Sequence, residues 1–156
     1  MYVNYSVMVN VGEKAPDFVL KDQHDRDVRL HDFHGKKVLL AFYVGDWSPV
    51  CGPEMACFKD DLGELRNHSI GVLGISVDSV WSHKAWAKHL GIDFSILSDL
   101  KREVSRAYGL LRQEGFSERA YLLIDENGIV RWKHVMPNPG DRLEAEDILK
   151  GIEKIK

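Results

Sequence analysis

The chain has two cysteines in 156 residues, Cys51 and Cys57, and the first stands where a thiol can become a nucleophile. It follows a polar loop, residues 45–49 (GDWSP), and precedes Gly52, Pro53 and Glu54. Beyond it, apolar and charged residues alternate at helical spacing, with Met55, Phe58, Leu62 and Leu65 on one side and Lys59, Asp60, Glu64 and Arg66 on the other. Pro53 suits a first helical turn, where its missing N–H costs nothing. Cys51 is therefore predicted at a helix N-terminus, against unpaired backbone N–H groups and the positive end of the dipole. A free cysteine titrates near about 8.5 and is only about 3% thiolate at pH 7. Lowering that value to about 6 takes about 3.4 kcal/mol of differential stabilisation. A helix end contributes about 0.3–1 kcal/mol, or about 2 in a partly buried site, so a second positive group is required. The plainer alternative is a buried cysteine acting as a small hydrophobe; the polar neighbours Asp46, Ser48, Gly52 and Glu54 argue against it.

Positioning this thiol requires a strand before it and a helix after it. The apolar run at 38–44 (VLLAFYV) reads as a buried strand ended by Gly45 and Asp46, and residues 51–67 as the first long helix. Upstream, 17–20 and 27–30 read as two strands of a hairpin across a charged turn. Downstream, 70–77 (IGVLGISV) is a second buried strand. Residues 81–90 carry helical spacing, with Trp81, Ala85 and Leu90 expected toward the core, His83, Lys84 and Lys88 outside, and Gly91 as the cap. Residues 94–97 predict a short strand, 101–108 a helix stopped by Gly109, and 110–118 a loop. Strands at 120–124 and 129–135 are joined by Asp125, Glu126, Asn127 and Gly128, a strong hairpin signal, and 143–155 is a closing amphipathic helix. A βαβ unit followed by an antiparallel hairpin and a last helix implies a mixed central sheet with helices on both faces, an α/β sandwich. The tryptophans Trp47, Trp81, Trp86 and Trp132 read mostly as core or interface, Trp47 being the one expected to be most exposed.

Composition narrows the function classes. Apolar content of 44% and charged content of 29% are those of an ordinary globular chain. The length fits one domain, set at residues 11–156, with residues 1–10 as a short extension. A net charge of −3 without a basic cluster offers nothing to a nucleic-acid backbone. No apolar run approaches a membrane span, and the opening residues lack the pattern of a secretory signal. Two cysteines in such a chain fit a cytoplasmic protein whose thiols do chemistry rather than a disulfide scaffold. Of the seven histidines, His31 and His34 lie close together but lack further ligands at metal-site spacing, so neither a metal nor another cofactor is expected.

A strand, a cysteine opening a helix, a βαβ unit and a terminal ββα unit resemble the thioredoxin superfamily. Its usual Cys-x-x-Cys is absent, because Glu54 occupies the second position. Over residues 11–156 the chain resembles the peroxiredoxins. Phe42 and Tyr43 end the strand, Ser48 takes the hydroxyl position of the signature, Cys51 that of the peroxidatic thiol and Glu54 the acidic position. The run ISVDS at 75–79 with Ser82, His83, Ala85 and Trp86, and the run from Arg119 and Ala120 to Asp125 and Gly128, are also similar to this family. Val44 stands where the signature has proline. The resemblance implies a thioredoxin-like fold and a thiol peroxidase acting on hydrogen peroxide or small organic hydroperoxides, with a thioredoxin-like or low-molecular-weight thiol as reductant.

The same resemblance assigns roles. Arg119 would supply a permanent fork of donors that stabilises the thiolate and the charge growing on the departing oxygen. Ser48 would donate to the thiolate or peroxide, and Glu54 would orient Arg119 or cap a neighbouring group. The product is a sulfenic acid on Cys51, which must condense with a thiol before it overoxidises. Cys57 is the only internal candidate. In an intact helix, six residues give about 9 Å of rise and roughly 240° of rotation, hence Cα atoms about 10 Å apart, beyond the ~7 Å limit for a disulfide. Cys57 therefore either resolves after the helix unwinds or is structural, with one-cysteine chemistry; the similar subclasses are the Q-type (bacterioferritin-comigratory) and one-cysteine peroxiredoxins. The chain would work as a monomer or homodimer. The rival function is a redox sensor that oxidises stoichiometrically at Cys51.

Overall fold

The computed structural model describes residues 8–47, 69–138 and 145–154. Its elements in chain order are β1 (Val19–Lys21), β2 (Asp27–Arg29), a 3-10 turn (Leu30–Phe33), β3 (Lys37–Phe42), β4 (Ile70–Ser76), α1 (Val80–Leu90), β5 (Ser95–Ser98), α2 (Glu103–Ala107), β6 (Ala120–Ile124), β7 (Val130–Val135) and α3 (Ala145–Glu153). The seven strands form one mixed sheet in the order β2-β1-β5-β4-β3-β6-β7. The pairs β3–β4 and β4–β5 are parallel, and β1–β2, β1–β5, β3–β6 and β6–β7 are antiparallel. This is a thioredoxin-like α/β fold.

Strand β3 is central because its side chains are apolar on both faces. Leu39, Ala41 and Tyr43 belong to one core cluster with Trp86 and Ala87 of α1 and Ile148 of α3. Val38, Leu40 and Phe42 belong to the other, with Leu30 of the 3-10 turn, Val104 of α2 and Tyr108 just after it. Helices therefore cover both faces of the sheet, as the element order implied. At Gly74 of β4 an added Cβ would lie 2.9 Å from Ile96 Cγ2, so the close β4–β5 approach excludes a side chain there. Val9, within the stretch read as an extension, is buried in the second cluster, and its carbonyl accepts a hydrogen bond from Lys133 Nζ at 3.0 Å.

Two local expectations are corrected. The return strand ends at Arg29, and Leu30–Phe33 turn as a 3-10 helix that puts Leu30 in the core. More consequentially, α1 is rotated. Its buried residues are His83, Trp86 and Ala87, while Trp81 is 82% exposed and Ala85 also faces solvent. Residues 83, 86, 87 and 90 form an i, i+3, i+4, i+7 stripe, which 81, 85 and 90 do not. Ser79 caps this helix by accepting from Ser82 N–H, and Gly91 ends it in the left-handed conformation that favours glycine. Among the described residues no helix is long and apolar enough to cross a membrane.

Candidate active site

Four of the five sequence-predicted site residues, Ser48, Cys51, Glu54 and Cys57, lie outside the described residues. The fifth, Arg119, is only 1% exposed and immediately precedes β6. Ala120 pairs with Phe42, and paired Cα atoms on adjacent antiparallel strands are about 5 Å apart. Arg119 thus enters the sheet beside the end of β3 from which the chain leaves toward Cys51. Its carbonyl is held by Met136 N–H at 2.9 Å.

The loop leaving β3 is described as far as Trp47 and is fixed by a buried polar network absent from the sequence expectations. Asp46 is its centre, with its side chain fully buried. Tyr43, at the end of β3, donates its hydroxyl to Asp46 Oδ1 at 2.7 Å. Ser82 Oγ donates to Asp46 Oδ2 at 2.9 Å, and His83 Nδ1 lies 2.6 Å from the same oxygen. The Asp46 N–H donates to Asp78 Oδ2 at 2.7 Å, which also accepts from Ser76 Oγ at 2.7 Å. Strand β3, the β4–α1 turn and α1 are thereby joined through one loop residue. Trp47 follows at φ 61, a left-handed conformation uncommon for an aromatic residue. Its ring rests 5.3 Å from that of His89. Val44, in the position of the family's proline, packs partly buried against the α1-side core.

Burial sets the ionisation of this network. The Tyr43 phenol is pushed well above its usual range, first by burial and then by the Asp46 charge. Burial also raises the Asp78 carboxyl, opposed by hydrogen bonds from Ser76 and the Asp46 backbone. Asp46, Asp78 and His83 are the one group of three ligand-type side chains among the described residues. The Asp46 oxygens and Asp78 Oδ2 already accept from protein donors. His31 and His34 stack with ring centroids 4.4 Å apart at the other end of β3.

His83 was expected outside, and Asp46 was read as a strand breaker and a polar neighbour of Cys51, with no partner assigned to it. The stripe that includes Trp86, Ala87 and Leu90 is the signal that places a histidine inward. A mixed sheet of this order, helices on both faces and a polar loop after the central strand define a thioredoxin-like protein. The sequence profile of the AhpC/TSA family matches residues 11–133. A peroxiredoxin of Thermoplasma volcanium is 36% identical over 155 residues, covering 95% of this chain and 75% of the relative. Alkyl hydroperoxide reductase E of Mycobacterium tuberculosis is 38% identical over 138 residues, 86% of this chain and 90% of the relative. The crystal structure of the reduced 2-Cys peroxiredoxin of Plasmodium vivax superposes with a TM-score of 0.82 at 34% identity, covering 92% of this chain and 80% of that one. The chain belongs to the AhpC/TSA family, the thiol-dependent peroxidases known as peroxiredoxins.

Proposed function

We propose that residues 11–156 form a single peroxiredoxin domain that reduces hydrogen peroxide and small organic hydroperoxides at Cys51. The observation that carries this reading is the buried Arg119 beside the end of β3, in a chain whose relatives are named peroxiredoxins and alkyl hydroperoxide reductases. The Cys51 thiolate attacks one peroxide oxygen in line; an S–O bond forms, the O–O bond breaks, and two electrons pass from sulfur to the peroxide. The departing oxygen leaves as water or alcohol after taking a proton. Arg119 and Ser48 stabilise the developing charge, and Glu54 orients Arg119 or caps a neighbouring group.

The sulfenic acid then condenses with a thiol, releasing water and forming a disulfide. That thiol is Cys57, or comes from a thioredoxin-like protein or a small thiol; a second reducing thiol then attacks the disulfide, is itself oxidised to a disulfide and returns Cys51 to the thiol. The chain acts in the cytoplasm as a monomer or homodimer; exposed Trp81 and Leu100 supply an apolar surface for self-association. The relatives' names favour a turning-over enzyme over a stoichiometric sensor. Intact mass and thiol counting after one equivalent of hydrogen peroxide test the reading on wild type and Cys57→Ser. Loss of two thiols in wild type and a gain of one oxygen in the variant make Cys57 resolving. One added oxygen in both makes it structural, and no reaction in either sinks the peroxidase.

A further inference from the structure

The hydrogen bonds of His83 require a particular number of protons. The ring is fully buried. Its Nε2 lies 3.0 Å from the Leu97 carbonyl oxygen on β5, and its Nδ1 lies 2.6 Å from Asp46 Oδ2. A carbonyl oxygen only accepts, so Nε2 carries hydrogen. A neutral imidazole has one N–H, which would leave the Nδ1 lone pair facing a carboxylate oxygen in a site without room for water between them. The second hydrogen therefore lies in the Nδ1···Oδ2 bond. Asp46 already receives the hydroxyls of Tyr43 and Ser82, the arrangement of an ionised acceptor, so that hydrogen belongs to the ring.

We propose that His83 is a buried imidazolium and a positioning residue for the Cys51 chemistry. One N–H grips Asp46 in the loop that leads to Cys51 and the other grips the β5 carbonyl, so the charged ring ties that loop to the sheet. The positioning role rests on the peroxidase reading above. The titratable groups facing the ring are Asp46 from the loop, Tyr43 from the end of β3 and Asp78 from the β4–α1 turn. Neutralising Asp46 by itself leaves a workable pair: in Asp46→Asn the amide can donate to a bare Nδ1, and His83 then needs only its Nε2 hydrogen.

The test combines ring-nitrogen NMR with peroxide kinetics on the full chain. In wild type at neutral pH both His83 ring nitrogens are expected to show protonated-type shifts, assigned by their loss in His83→Gln; in Asp46→Asn one becomes unprotonated. His83→Asn can keep the donor to Asp46, whereas His83→Gln can keep the donor to Leu97 and loses Asp46. His83→Gln is expected to slow Cys51 oxidation by hydrogen peroxide about 10–100-fold, the scale of a small misplacement of the reacting group, and His83→Asn to retain most of the rate. An unprotonated ring nitrogen in wild type overturns the imidazolium. A wild-type rate in His83→Gln, or equal rate losses in the folded molecules of both variants, overturns the positioning role. A wild type inert to peroxide sinks the peroxidase reading and the positioning role with it, while the ring signals still decide the protonation.

Discussion

Helices α1 and α3 cover the same face of the sheet, yet they are held there by opposite chemistry. Helix α3 buries Ile148 completely, with Leu149 and Ile152 beside it. Its outward face carries an exposed Glu146–Lys150 pair at i, i+4. Helix α1 buries Trp86, stacked on Tyr43 at 5.7 Å, together with a histidine whose two nitrogens both face acceptors. Apolar area sets the rotation of α3, which the hydrophobic effect leaves loose in direction. Hydrogen-bond geometry sets that of α1, and it fixes angle as well as burial. The helix held by directional bonds is the one touching the loop before Cys51. The other helix serves the core.

If that division is right, damage to α1 costs both stability and peroxide reactivity, and damage to α3 costs stability alone. Trp86→Ala is expected to be the most harmful, lowering unfolding free energy by about 3–5 kcal/mol in urea titration and slowing Cys51 oxidation in the molecules still folded. Ile148→Ala is expected to lower stability by about 2–5 kcal/mol with the peroxide rate of the folded fraction unchanged. Equal rate losses in the two variants would break the comparison. Gly151→Ala tests the α3 side more finely. An added Cβ there would sit 2.5 Å from the Trp132 ring, so helix or ring must move, at about 1–3 kcal/mol, again without a change in rate. Ser79→Ala removes the α1 cap and is expected to cost about 1 kcal/mol.

The same contrast explains what could be read in advance. Strands β3, β4, β6 and β7 were legible because long apolar runs and the Asp125–Gly128 turn leave few alternatives. Helix α3 was legible because its apolar stripe is its packing face. The burial of Arg119 follows from standing next to β6, whose five residues are all buried. Helix α1 was misread because a histidine scores as polar. Only the acceptors Asp46 and Leu97, 37 and 14 residues away in sequence, make it a buried residue. Long-range hydrogen-bond partners leave no periodicity, so the network that joins Tyr43, Asp46 and Asp78 could not be read, although each residue stood in a stretch that was.

The smallest expected effect sharpens the comparison on its polar side. Burial holds the Asp78 carboxyl above its ordinary value of 3.8, so the folded chain binds that proton at a higher pH than the unfolded chain does. Stability from this group is therefore complete below about 3.8 and lost as pH rises through the raised folded value. At neutral pH the ionised, partly desolvated Asp78 is a cost that its hydrogen bonds from Ser76 and Asp46 reduce. Asp78→Asn keeps an acceptor oxygen for both donors and removes the charge. The variant should be at least as stable as wild type at neutral pH, and its advantage should shrink as pH falls toward 3.8. Paired urea titrations across that range measure the difference directly. An advantage that grows on acidification would mean that the Asp78 charge stabilises the network, its attraction to His83 and its hydrogen bonds outweighing the cost of burial.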